Sequence, residues 1–320
     1  MDFVLLIAGL ILILAGANFL TDGSSDLARR FKISEFIIGV TIIGIGTSAP
    51  ELVVSIGAAL KGSGDIAAGN VIGSNIFNVL VILGITAIIY PLPLSSNNVK
   101  KDIPFGVLAS IILLLITSDR LLGDSEINWI SRTEGLLLFS LFIIFIASTI
   151  FSSKKDNSSA EDNTQSSRHR PLWLSFIFVS GGLAALVYGG DLFLDSALNI
   201  SRRYGISEAV IAITLMAGGT SMPELASCVV SAIKKKPQLA LGNILGSNIS
   251  NIFLVLGTSA SISPLYPGDI KISDLLMVIL TSVLLFTSAL LFKKRLISRT
   301  EGIIFLAIYG IYIWILLSNI

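Results

Sequence analysis

The sequence predicts an all-α membrane protein with ten transmembrane helices that form two inverted-topology repeats of five helices each. Three observations support this prediction: 53% of the residues are hydrophobic, only 13% are charged, and the second half of the chain repeats motifs of the first. A helix needs about 20 apolar residues to cross a bilayer, and runs of roughly this length recur from end to end. The predicted spans are 2–20, 36–60, 66–90, 103–118, 128–151, 172–193, 208–233, 238–262, 274–292 and 301–318.

The two halves align when 173 is added to the residue number. This offset converts GTSAPE at 46–51 into GTSMPE at 219–224, and GNVIGSNIFN at 69–78 into GNILGSNISN at 242–251. Because each half holds an odd number of spans, the halves must cross the membrane in opposite directions. The predicted units are a first repeat over 1–151, a short cytoplasmic linker over 152–171 and a second repeat over 172–320.

The distribution of basic residues predicts the orientation. With both termini outside, 16 of the Lys and Arg residues fall in inside segments and 6 fall outside, as the positive-inside rule requires. The compact chain favours a prokaryotic cytoplasmic membrane. The net charge of +1 and the lack of a basic stripe give no sign of nucleic acid, no protein partner is implied, and the lipid bilayer is the expected surrounding.

Several polar residues are predicted to have structural roles only. ISRTEG occurs at 130–135 and 297–302, and its S-x-x-E spacing is that of a capping box that begins a helix. Asp22 and Asp195 correspond under the offset and are expected at solvated span ends. The only cysteine, Cys228, is predicted to be a small packing residue, and the only histidine, His169, lies in the linker.

Glu51 and Glu224 are the residues that point to function. Each lies inside an apolar run, where a carboxylate costs about 2.5–3.5 kcal/mol even on lenient insertion scales. A buried ion pair would explain them, but the spans contain no Lys or Arg near mid-depth that could pair with them. A mobile cation or a proton is therefore the predicted partner.

Neighbouring residues indicate which kind of cation. Thr47 and Glu51 are four residues apart, which places them on one helix face, and the spacing recurs in three further pairs. These pairs are Thr220 with Glu224, Ser74 with Asn78, and Ser247 with Asn251. All are hard oxygen donors, which suit Ca²⁺ or Na⁺ rather than zinc or copper. Pro50 and Pro223 should open the helix and expose backbone carbonyls to the ion.

These motifs resemble the two alpha-repeats of the cation/calcium antiporter superfamily, in particular its sodium/calcium exchanger branch. The alpha-1 motif would cover about 39–84 and the alpha-2 motif about 212–257. The resemblance implies that Glu51 and Glu224, with the oxygens of Thr47 and Thr220, hold Ca²⁺. It also implies that further oxygens form flanking Na⁺ positions, from Ser48, Ser74, Asn78, Ser221, Ser247 and the backbone carbonyls near Gly44 and Ala217. Some relatives have Asp where this chain has Asn251, so potassium cotransport is not expected.

The sequence therefore predicts a secondary antiporter that exchanges Na⁺ for Ca²⁺ by alternating access, with three Na⁺ per Ca²⁺ and no cofactor. A proton/calcium antiporter is the alternative, although the proton-coupled branch usually has Asn at the positions of Thr47 and Thr220. An intramembrane protease is the remote alternative. The chain lacks a paired intramembrane Asp motif and an HExxH motif, so no enzymatic activity is expected.

Overall fold

The computed structural model describes residues 2–119, 128–156, 171–204, 217–268, 270–291 and 295–318. The α-helices are Asp2–Phe31 (α1), Glu35–Ile38 (α2), Gly44–Thr47 (α3), Ala49–Leu60 (α4), Gly64–Phe77 (α5), Leu83–Ile89 (α6), Ile103–Ile116 (α7), Arg132–Asp156 (α8), Leu172–Arg203 (α9), Ala217–Gly219 (α10), Met222–Ile233 (α11), Pro237–Ser250 (α12), Gly257–Ile262 (α13), Ile272–Leu291 (α14) and Arg299–Ser318 (α15). π-Helical segments span Gly39–Ile43, Asn78–Ile82, Asn98–Asp102 and Asn251–Leu256. Two short strands, Leu92–Pro93 (β1) and Leu296–Ile297 (β2), pair antiparallel.

The predicted helical membrane class is confirmed. In the described residues, seven helical stretches are long and apolar enough to cross a membrane, or eight if the bent pair Glu35–Thr47 and Ala49–Leu60 forms one span. The predicted span 103–118 corresponds to α7, Ile103–Ile116, which a π-segment precedes. The predicted span 208–233 is described only from Ala217, and most of the predicted linker, with His169, lies outside the described residues.

Two helical stretches occupy the centre of the molecule. In the most apolar 18 residues of each stretch, 72% are buried inside the protein for Gly64–Ile89 and 89% for Pro237–Ile262. The same fraction is only 17–28% in the other five long stretches. These central stretches are equivalent in the two repeats and carry the GNxxGSN motifs. The remaining helices expose large apolar side chains on their outer faces, as lipid-facing helices do.

Both central stretches change from α-helix to π-helix at an asparagine. The π-segment begins at Asn78 in the first repeat and at Asn251 in the second. Both asparagines were predicted as ion ligands from the sequence. The two transitions occur at equivalent positions of the repeats. π-Helical turns are often found at functional sites, which agrees with a role for both asparagines in the site.

The helix that carries Glu51 is broken immediately before the proline. α3 ends at Thr47, Ser48 has φ −77° and ψ 7°, and α4 begins with Pro50 in its first turn. The two parts of this span are bent by 43°. Proline lacks the N–H that would continue the hydrogen-bond ladder, so it is well placed at a helix start. The second repeat has the same arrangement, because Ser221 precedes α11 and Pro223 lies in its first turn.

The close contacts between α1 and α9 involve glycines that are equivalent in the two repeats. A Cβ atom added to Gly9 would lie 2.9 Å from the carbonyl oxygen of Gly189, and one added to Gly16 would lie 2.8 Å from that of Gly182. Adding 173 to Gly9 and Gly16 gives Gly182 and Gly189, so the two contacts are images of each other. Residue numbers rise along α1 as they fall along α9, and the two equivalent helices are therefore antiparallel.

Contacts at the other end of each repeat also occur in pairs. Gly84 approaches Gly302, and Gly257 approaches Gly135 in the corresponding contact with the repeats exchanged. The strand pair Leu92 with Ile297 is likewise matched by the bridge between Leu265 and Ile130. In every case the third span of one repeat, or the segment after it, meets the fifth span of the other or the residues just before it.

The predicted capping box is confirmed at Ser131. The Ser131 N–H donates to Glu134 Oε2 at 2.7 Å, and the Glu134 N–H donates to Ser131 Oγ at 3.2 Å. At the start of α15, the Ser298 N–H donates to Glu301 Oε2 at 2.5 Å. Asp22 fits its predicted place at a solvated span end, because its side chain is 35% exposed and its carboxylate is 2.7 Å from the Lys234 ammonium.

The glycines at the α1–α9 crossing supply a test of the packing. In Gly182→Ala, the new methyl group would lie 2.6 Å from the Leu20 backbone nitrogen, so the helices must separate. We expect a loss of about 1–3 kcal/mol in stability, as for other overpacked sites. Thermal unfolding in detergent measures the effect.

The neighbouring Gly181→Ala is the matched control. Its Cβ would meet no atom within 4 Å, and alanine favours the helix by up to about 1 kcal/mol. Equal melting temperatures for the two variants would contradict the proposed close packing of α1 on α9.

Candidate ion-binding site

Glu51 and Glu224 lie in the first turns of α4 and α11, directly after the helix breaks. Both side chains are fully buried. Within the part of the chain that the structure describes, neither carboxylate forms an ion pair with Lys or Arg. The site therefore holds two carboxylates with no protein cation opposite them, as the sequence predicted.

The serines after the helix breaks bridge the repeats. Ser48 Oγ donates to Glu224 Oε1 at 3.4 Å, and Ser221 Oγ donates to Glu51 Oε1 at 3.1 Å. Each serine thus contacts the glutamate of the other repeat. The sequence predicted contacts within each repeat, such as Thr47 beside Glu51. The observed hydrogen bonds of Ser48 and Ser221 instead join one repeat to the other.

Thr220 and Ser74 complete the surroundings of Glu51. Ser74 Oγ lies 3.3 Å from Glu51 Oε1 and 3.5 Å from Thr220 Oγ1. Ser74 is on the central helix α5, so the carboxylate of Glu51 lies where α4, α5 and the break before α11 meet.

The two threonines are held by asparagines of the opposite repeat. Thr47 Oγ1 donates to Asn243 Oδ1 at 3.1 Å, and Thr220 Oγ1 donates to Asn70 Oδ1 at 3.3 Å. Because the hydroxyl hydrogen is used in this bond, the oxygen lone pairs remain available to a cation. Asn70 and Asn243 therefore orient the threonine oxygens.

Ser247 lies against the broken helix of the first repeat. Its Oγ donates to the Gly44 carbonyl at 3.2 Å and lies 3.3 Å from Asn243 Oδ1. The Gly44 carbonyl is thus at the site, where the sequence analysis placed it. Ala217, its counterpart, is described only as the first residue of the short helix Ala217–Gly219.

Among the described residues, four buried acceptor oxygens at or beside the site have no hydrogen-bond partner. They are Glu51 Oε2, Glu224 Oε2, Asn78 Oδ1 and Asn251 Oδ1. A buried polar atom without a partner costs about 1–3 kcal/mol, and a charged one costs more. Two carboxylates and the two asparagines at the π-helix starts thus each have an oxygen that is free to accept a further contact. The described residues contain no group of three or more His, Cys, Asp or Glu that could hold a transition metal.

The sequence also matches a known protein family in both halves. The family model described as sodium/calcium exchanger protein covers residues 1–151 and 174–318. The chain belongs to the sodium/calcium exchanger family.

Individual members of this family are similar over nearly the whole chain. A protein of Alkalimonas amylolytica named as the antiporter CaxA is 35% identical, with 99% of this chain and 98% of that protein covered. The sodium/calcium exchanger MaX1 of Methanosarcina acetivorans is 29% identical, with 98% of both covered. A structure of the sodium-calcium exchanger NCX_Mj superposes with a TM-score of 0.83 at 33% identity, covering 98% of this chain and 97% of that one.

The hydrogen-bonding role of Cys228 was not predicted from the sequence. Its thiol donates to the Ala240 carbonyl at 3.7 Å and accepts from Asn243 Nδ2 at 3.2 Å. Under the 173-residue offset Cys228 corresponds to Ser55, which accepts from Asn70 Nδ2 at 3.0 Å and donates to the Ala67 carbonyl. Cys228 therefore supports the asparagine that holds Thr47, and the repeat offset could have revealed it.

Substitutions of Cys228 test this assignment. We expect Cys228→Ser to retain stability, because serine makes the equivalent bonds at position 55. Cys228→Val should lose about 1–3 kcal/mol, because Asn243 Nδ2 would remain buried without its acceptor. Urea or thermal unfolding of the purified protein measures both. A valine variant as stable as the serine variant would show that the thiol serves only for packing.

Proposed function

We propose that this protein is a Na⁺/Ca²⁺ antiporter with ten spans in two inverted repeats, which works by alternating access. Both termini lie outside, and the protein resides in a prokaryotic cytoplasmic membrane. Glu51 and Glu224 bind Ca²⁺ together with the oxygens of Thr47 and Thr220. Ser48, Ser74, Asn78, Ser221, Ser247, Asn251 and the backbone carbonyls of Gly44 and Ala217 supply overlapping and flanking Na⁺ positions.

The unpartnered oxygens of the site carry this proposal. Two carboxylates provide a charge of −2, which one Ca²⁺ neutralises. The surrounding donors are hydroxyl, amide and carbonyl oxygens, which Ca²⁺ and Na⁺ both accept. If Na⁺ and Ca²⁺ compete for the same oxygens, one ion must leave before the other binds. Mutually exclusive occupancy is what couples the two fluxes in an antiporter.

The architecture supports alternating access. The first helices of the two repeats are antiparallel, and contacts between the repeats occur in pairs with the roles exchanged. In a chain with this pseudo-symmetry, the two repeats can exchange their conformations. The exchange converts a state open to one side of the membrane into a state open to the other side. The site lies between the two halves, so such a rearrangement would change the side of the membrane from which ions reach it.

The proposed stoichiometry is three Na⁺ per Ca²⁺. At about 100 mV inside negative and a tenfold Na⁺ gradient, each entering Na⁺ releases about 3.7 kcal/mol. Expelling Ca²⁺ against a gradient of about 10⁴ requires about 10 kcal/mol under the same potential. Two Na⁺ do not supply this free energy and three do, so each turnover should move one net positive charge in the direction of Na⁺.

Glutamine variants test the site and the coupling ion together. Proteoliposomes are loaded with Na⁺ and diluted into Na⁺-free buffer that contains ⁴⁵Ca²⁺. We expect rapid uptake by the parent protein, and uptake at background for Glu51→Gln and Glu224→Gln, because each removes one of the two charges that bind Ca²⁺.

The control for this experiment is Glu134→Gln, since glutamine can also complete the capping box that Glu134 forms with Ser131. Its uptake should equal that of the parent. Ca²⁺ uptake that a pH gradient drives equally well without Na⁺ would replace this proposal with a proton/calcium antiporter.

Membrane potential tests the stoichiometry. In Na⁺-loaded vesicles, export of three Na⁺ for one Ca²⁺ makes the interior negative and slows further uptake. Equal K⁺ on both sides with valinomycin removes this potential, so the initial Ca²⁺ uptake should accelerate. An electroneutral exchange of two Na⁺ would give the same rate with and without valinomycin.

A further inference from the structure

Asn251 is linked to an asparagine of the other repeat. Its Nδ2 donates to Asn75 Oδ1 at 3.2 Å, and Asn75 Nδ2 in turn donates to the backbone carbonyl of Asn248 at 3.2 Å. All three residues are on the central helices α5 and α12 or at the start of the following π-segment. The chain of bonds thus starts at a carbonyl of the second repeat, passes through the first and ends at Asn251.

The carbonyl at the start of this chain determines the direction of both amides. A backbone carbonyl can only accept, so Asn75 must turn its NH₂ group toward Asn248 and its Oδ1 toward Asn251. Asn251 must then offer its own NH₂ group to Asn75. Its Oδ1 is left buried and without a partner, as the structure shows.

We propose that Asn75 is a positioning residue that makes Asn251 present its carbonyl oxygen, rather than its NH₂ group, to Na⁺. An amide that turned by 180° would direct hydrogens with partial positive charge at the cation. Asn75 prevents this rotation because the turned Asn251 would place its oxygen against Asn75 Oδ1. The proposal rests on the proposed function, which makes Asn251 a ligand of the transported ions.

In the described part of the chain, the first repeat has no equivalent link. The counterpart of Asn251 is Asn78, whose Nδ2 and Oδ1 both lack a hydrogen-bond partner. The counterpart of Asn75 is Asn248, whose side-chain oxygen is also unpartnered. The two half-sites therefore differ, since one amide is held in a single orientation and the other is not.

A double-mutant cycle distinguishes positioning from a general structural role. Na⁺-dependent thermal stabilisation of the purified protein is measured with N-methylglucamine chloride added to constant ionic strength. We expect Asn75→Ala to raise the half-maximal Na⁺ concentration about fivefold to tenfold, the effect of losing one buried hydrogen bond. In the Asn251→Ala background the same substitution should change it less than about twofold, because Asn75 then has no amide to orient.

Two further variants complete the design. Asn248→Ala is the matched control, because Asn248 is the counterpart of Asn75 in the second repeat. It should leave the half-maximal Na⁺ concentration within about twofold of the parent. Asn75→Leu fills a similar volume without hydrogen bonds and replaces Asn75→Ala if the latter does not fold. Equal effects of the position-75 substitution in the parent and Asn251→Ala backgrounds would overturn the proposal, as would an unchanged Na⁺ midpoint in Asn75→Ala.

Exchange assays separate this inference from the proposed function. A parent protein that shows Na⁺ stabilisation and the coupling between positions 75 and 251, but no Na⁺-driven Ca²⁺ uptake, would retain the positioning role and lose the exchanger function. A parent that exchanges Na⁺ for Ca²⁺ with additive effects at the two positions would retain the function and lose the positioning role.

Discussion

The site depends on two carboxylates that are buried together, with no Lys or Arg of the described residues paired to either. Glu51 and Glu224 are fully buried, and one oxygen of each has no hydrogen-bond partner. Such a pair is unfavourable in the absence of a bound cation, so the surrounding fold has to hold it in place. The helix breaks before Pro50 and Pro223, the π-helical turns at Asn78 and Asn251, and the close glycine packing of the central helices all bring polar atoms and backbone toward this point. The helix breaks and the two π-helical turns thus lie at residues of the site in both repeats.

Much of this arrangement could be predicted from the sequence because the chain contains it twice. A single intramembrane glutamate beside a proline has several explanations, but the same motif at an offset of 173 residues has few. The S-x-x-E spacing, present in both halves, also made the capping boxes predictable. The hard oxygen donors favoured Na⁺ or Ca²⁺ over zinc or copper by residue type alone.

Other features could not be predicted, because they depend on how the halves face each other. Four-residue spacing predicts Thr47 and Glu51 on one helix, but the helix is broken at Ser48 between them. The spacing also gives no information on Asn243, which is 196 residues away and binds the threonine hydroxyl. The direction of the Asn251 amide follows from a backbone carbonyl and is not encoded by residue type. Cys228 was interpreted from its apolar surroundings, whereas its hydrogen bonds are those of a serine in the other repeat.

The exchange of partners between repeats has a mechanical consequence. Ser48 contacts Glu224 while Ser221 contacts Glu51, and Thr47 and Thr220 bind asparagines of the opposite half. A relative movement of the two halves would change these contacts together. Under the proposed function, a cation bound between Glu51 and Glu224 would link the two halves, and its release would leave only the hydrogen bonds between them at this point.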